Sequence, residues 1–121
     1  MFYRRAALVL LVLAACNGSN VVSNDGSAVT CNVDPPLTCP AEVPTYATVQ
    51  PIIEKACVPC HDGADPDGPW PLKTYKSAAD WAEVIRADLM NCSMPPADGG
   101  VPLSDEDRHT LLTWIRCDYP Q

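Results

Sequence analysis

Residues 56–63 read Ala-Cys-Val-Pro-Cys-His-Asp-Gly, and this stretch limits what the chain can fold around more than any other. Two thiols stand three residues apart, and an imidazole follows the second directly. On a helical turn, positions i, i+3 and i+4 share one face. Cys57, Cys60 and His61 can therefore offer two sulfurs and one nitrogen to a single neighbour. Such a trio serves as a thiol redox pair, as part of a zinc site, as the attachment point of a prosthetic group, or as a chance element of a disulfide framework. The compartment and the residues downstream decide among these.

The chain opens with MFYRRAALVLLVLAA, in which Arg4 and Arg5 precede an apolar run and small residues. That is the layout of a secretory signal over residues 1–15. A bilayer span needs about 20 apolar residues, so this run is too short to cross one. It ends in Leu13-Ala14-Ala15-Cys16, which resembles the lipobox of bacterial lipoproteins. There the cysteine is lipidated and becomes the mature N-terminus. The expectation is an exported lipoprotein, anchored to a membrane through lipid on Cys16 and facing the periplasm. Asn17 points toward outer-membrane sorting, and a soluble secreted chain is the alternative.

The full chain carries 8 Lys+Arg against 15 Asp+Glu, a net charge of −7. Without Arg4 and Arg5 six basic residues remain against 15 acidic ones, a net charge near −9. Nucleic-acid binding needs a basic face and is excluded as an expectation. An acidic surface steers partners that dock through basic ones.

Seven cysteines are many for 121 residues, and an exported chain can oxidise them. With Cys16 lipidated and Cys57 and Cys60 in the motif, Cys31, Cys39, Cys92 and Cys117 remain. Four cysteines allow three pairings. The favoured one is Cys31–Cys39, closing a short loop, with Cys92–Cys117, pinning the segment before Met94 to the end of the last helix.

Residues 16–44 form a lipidated start, a tether and a lead-in. Residues 17–30 are rich in Asn, Ser and Gly without any period, and such a tether reaches roughly 20 Å. Residues 31–44 hold four prolines and two cysteines. The folded domain is expected over 45–121, all-α, with three helical segments and no strand. The first covers about 46–57, with Val49, Ile52, Ile53 and Ala56 on one face. Pro51 fits only a first turn, which argues for a late start. The second covers about 78–90, capped by Ser77, with Ala78, Trp81, Ala82, Ile85 and Leu89 as its stripe. The third covers about 105–117. Ser104 caps it, Asp105, Glu106 and Asp107 favour its positive end, and Leu111, Leu112, Trp114 and Ile115 pack inward. This is a thin core for its length, and domains of that size need a staple. Disulfides, or a macrocycle filling the middle, would supply one.

Each reading of the motif has a physical test. Redox thiol pairs start a helix in a βαβ setting, whereas this pair ends an amphipathic helix. Structural zinc needs four ligands, normally from two knuckles, and no second Cys-x-x-Cys exists. A disulfide framework by chance remains open. The reading that suits an exported chain is attachment of one haem c. Cys57 and Cys60 then form thioethers and His61 is the proximal iron ligand. The second axial ligand is expected from residues 91–100, NCSMPPADGG. Met94 offers a soft, neutral sulfur that raises the reduction potential, and Pro95 and Pro96 stiffen its loop. Met90 is read as packing within a helix, and His109 as exposed.

Taken together, "CVPCH" after a first helix, "SMPP" as a distal loop, and the closing helix "LSDEDRHTLLTWIRC" resemble a small class I c-type cytochrome over about residues 45–119. The resemblance implies first and last helices packed together and one haem in a crevice. It implies that Cys57, Cys60, His61 and Met94 hold it, and that a proline carbonyl, of Pro69 or Pro71, takes the free nitrogen of His61. The short spacing from His61 to Met94 implies trimmed loops, and the extra cysteines depart from the family. The function implied is that of a single-electron carrier between redox partner proteins, without enzymatic chemistry, with Trp70 and Leu72 near the exposed haem edge or covering it. A haem-based sensor or catalyst with an open distal site, and a haem-free disulfide-stapled surface module, are the alternatives.

Overall fold

The computed structural model describes residues 31–64, 68–99 and 101–121. The expected signal peptide, the lipidation site Cys16 and the tether of residues 17–30 lie outside the described residues. Among the described residues the secondary structure is entirely helical. Four helices follow in order: α1 (Tyr46–Ala56), α2 (Tyr75–Asp80), α3 (Ala82–Asn91) and α4 (Asp105–Arg116). None of the helices described is long and apolar enough to cross a membrane.

α1 starts at Tyr46 and carries Pro51 inside it, so the expectation of a late start is corrected. Proline in a helix interior removes one hydrogen bond and crowds the carbonyl four residues back. Here both Pro51 and Ala47 lie on the exposed face, where water can take the bond that the Ala47 carbonyl loses. Val49, Ile53 and Ala56 are buried on the opposite face.

The second expected helix is two. Thr74, not Ser77, begins α2, through a capping box in which Thr74 Oγ1 accepts from Ser77 N–H and Ser77 Oγ accepts from Thr74 N–H. The Thr-x-x-Ser pattern satisfies two orphan donors at once, one turn before the apolar period begins. Trp81 ends α2 and precedes α3 with φ −104° and ψ 9°, and its ring lies 5.0 Å from that of Trp70. α4 matches its expectation: Ser104 Oγ accepts from Asp107 N–H at 3.0 Å, and three acidic residues occupy the first turn.

α4 packs on both α1 and α3, and Leu111, Leu112, Trp114 and Ile115 are buried against Val49, Ile53, Leu72, Ala78, Ala82 and Leu89. Trp114 is fully buried, so its indole N–H needs a partner. It donates to the Pro120 carbonyl at 2.9 Å, which also accepts from Tyr46 N–H at 2.8 Å. Tyr75 Oη donates to the Tyr119 carbonyl. Chain end, α1 start and α2 are thus locked at one end of the molecule, leaving the other end of α1 to carry Cys57.

The disulfides join Cys31 to Cys92 and Cys39 to Cys117, each with Cα atoms 5.7 Å apart. The expected pairs, Cys31–Cys39 and Cys92–Cys117, are corrected. The lead-in does not fold on itself. It leaves Cys92 at the end of α3, packs Val33 on the core, meets His109 of α4 through the Asp34 carbonyl, and reaches Cys117 at the end of α4. A proline-rich segment without a core of its own is laid along the helices and stapled at both ends. The loops closed span 61 and 78 residues, and each restricts the unfolded chain by about 4 kcal/mol in the loop-entropy account.

Candidate cofactor cleft

The backbone beyond α1 makes one more turn. Cys57 N–H donates to the Ile53 carbonyl, and the Cys60 and His61 N–H groups both donate to the Cys57 carbonyl, at 3.2 and 2.9 Å. This turn sets Cys57, Cys60 and His61 on one wall of a cleft. Trp70, Leu72, Trp81, Ile85, Leu89 and Val101 line it further, and Met94, Pro95 and Pro96 close it from the distal loop. The cleft encloses about 100 Å³ and opens into a wide mouth, less enclosed room than the roughly 300–1,000 Å³ of a closed ligand pocket. Its walls are almost wholly apolar, and among the described residues that line it Asp88 is the single carboxylate.

His61 is fixed from behind. Its Nδ1 lies 3.1 Å from the Trp70 carbonyl, and its own carbonyl accepts from Leu72 N–H at 2.9 Å. A carbonyl only accepts, so Nδ1 carries a proton, and in the neutral ring the lone pair then falls on Nε2, the tautomer in which an imidazole binds a metal through that atom. The carbonyl belongs to Trp70, between the two prolines expected to supply it, Pro69 and Pro71. Gly68 is buried against the same turn. A Cβ there would stand 1.9 Å from the Cys60 carbonyl oxygen, so only glycine lets this loop approach.

Cys57 and Cys60 are free thiols, although the other four described cysteines pair. Burial pushes the Cys57 thiol up to about 11. A redox dithiol needs a lowered thiol pKa, commonly gained at a helix N-terminus; Cys57 caps the C-terminal end of α1. A redox pair is therefore disfavoured on burial and on dipole alike.

Met94 is 38% exposed at the cleft mouth, beside Trp70 at 47% and Val84 at 45%. Leu72 is buried and covers the cleft floor. Met90 packs against the core, and His109 is exposed and does not line the cleft, both as expected. Among the described residues no three His, Cys, Asp or Glu side chains converge where they could hold a metal ion. The expectation of metal binding is corrected to that extent: the described residues build no metal centre from such side chains alone.

Sequence reasoning missed Gly68, the Trp70 carbonyl and Asp88. Gly68 had a signal, an Asp-Gly-Pro run of the kind that marks a close backbone turn; a backbone acceptor such as Trp70 has none. No protein-family model, curated protein or solved structure matches the chain.

Proposed function

We propose that this chain is a cytochrome c-like electron carrier, exported, anchored through lipid on Cys16, with one haem held covalently in the cleft. The observation that carries the reading is the convergence of Cys57, Cys60, His61 and Met94 on one open, apolar cleft. The residues fit the group. Two reduced thiols stand one turn apart, and each can add its S–H across a vinyl C=C, forming a C–S bond and needing no oxidant. His61 Nε2 and the Met94 thioether are one nitrogen and one sulfur ligand, which together favour a raised potential. When bound, the haem supplies a one-electron redox centre. The Trp70 carbonyl keeps the His61 proton on Nδ1, and Leu72, Ile85 and Leu89 exclude water from the cleft. Its partners are redox proteins, met in brief encounters at the rim formed by Trp70 and Val84.

Export of the chain in a host with haem-attachment machinery, followed by denaturing electrophoresis and peptide mass mapping, tests this. The reading expects haem that survives denaturation, on the peptide holding Cys57 and Cys60, and its loss in Cys57→Ser/Cys60→Ser. An unmodified peptide from folded, exported protein would defeat it.

A further inference from the structure

The α3 end of the distal loop is tied covalently. Cys92 ends α3 in the left-handed region, with φ 58°. The N–H groups of Cys92, Ser93 and Met94 all turn onto the Asp88 carbonyl, the latter two at 3.1 and 3.4 Å. Ser93 Oγ donates to Asp88 Oδ1 at 2.8 Å, and Ser93 N–H also reaches Asn91 Oδ1 at 2.8 Å. Cys92 itself is bonded to Cys31 in the lead-in. Each of these ties falls within the three residues ending at Met94, whose side chain remains 38% exposed. The sulfur is therefore located by its backbone and only weakly by packing.

We infer that the Cys31–Cys92 disulfide, together with Asp88, is a positioning device for the Met94 sulfur. This rests on the proposed function. A thioether is a weak, neutral ligand on a side chain with three rotatable bonds, so its hold on the iron depends on how little freedom is lost when it binds. A staple two residues upstream removes backbone freedom from the segment that carries Met94 in advance, so that only the side-chain rotations remain to be fixed. Neither disulfide lines the cleft, but Cys39–Cys117, of the same chemistry and joined to the same lead-in, ends at α4 rather than two residues from Met94 and serves as the internal comparison.

The test uses the full haem-loaded protein. Cys31→Ser/Cys92→Ser and Cys39→Ser/Cys117→Ser are compared with the parent for the weak far-red absorption of the oxidised form, reduction potential, and rate of cyanide binding. The first variant is expected to lose most of the far-red band, to shift to a lower potential and to bind cyanide at least tenfold faster. The second is expected to keep all three while unfolding at a lower temperature. Should the first variant fail to fold, Asp88→Ala and Ser93→Ala carry the test, each with severalfold faster cyanide binding. Unchanged band and cyanide rate in Cys31→Ser/Cys92→Ser, or in both single variants where that one does not fold, would overturn the inference while leaving the proposed function standing. A parent haem protein that lacks the far-red band, or a chain without haem, would overturn both.

Discussion

Cys57, Gly68 and Met94 each make a claim that a single substitution or reagent can check. The Cys57 thiol is pushed up to about 11 from 9.0 by burial, so in the polypeptide before attachment it holds about a hundredfold less thiolate at pH 8 than a free thiol. The greater nucleophilicity of a more basic thiolate recovers about tenfold of this. Iodoacetamide should therefore modify Cys57 roughly tenfold more slowly than an unfolded control peptide; equal rates would show the thiol unburied. The sign for stability follows: folding retains a proton that the unfolded chain releases near 9.0, so the contribution is complete below pH 9 and is lost as pH rises through about 11. At Gly68, alanine would put a Cβ against the Cys60 carbonyl. Gly68→Ala should lower stability by at least about 1–3 kcal/mol in denaturant titration and loosen the His61–Trp70 hydrogen bond. Met94→Ala should lower the reduction potential and let carbon monoxide bind the reduced protein; an unchanged potential would remove Met94 from the site.

Stability at the level of elements comes from stapled helices. Breaking Cys39–Cys117 should cost about 2–5 kcal/mol, measured by thermal unfolding, and Ser104→Ala should cost about 1 kcal/mol through the lost α4 cap. α4 was readable in full because its cap, its acidic first turn and its apolar stripe agree. α1 was readable except for Pro51, since the sequence does not reveal that the carbonyl behind a proline will face water. The α2–α3 pair was read as one helix because its apolar stripe continues through Trp81, while the break there depends on tertiary surroundings. Disulfide pairing was not legible. Loop length favours near neighbours, whereas the lead-in has nothing to pack on except α3 and α4, and that is a property of the assembled core. The cleft residues Cys57, Cys60, His61 and Met94 were legible because their chemistry is carried by residue type. Trp70 contributes through its carbonyl, which every residue has.

In the whole molecule, the closed end and the open end divide the work. Trp114, Tyr46, Tyr75 and Tyr119 form an aromatic cluster at the start of α1, with ring centroids 5.4 to 6.1 Å apart, and fix the helices there. The far end of α1 is left to a cleft that the polypeptide does not fill. A chain this small would gain stability by filling such a space with a bound group, and the proposed haem is the group that thiols, imidazole and thioether would hold. The most direct measurement is the absorption spectrum of protein exported with haem-attachment machinery, oxidised and then reduced. The account predicts a sharp reduced alpha band, and in the oxidised form a weak far-red band that cyanide removes. Folded protein with no haem absorbance would contradict it and leave a disulfide-stapled helical module in its place.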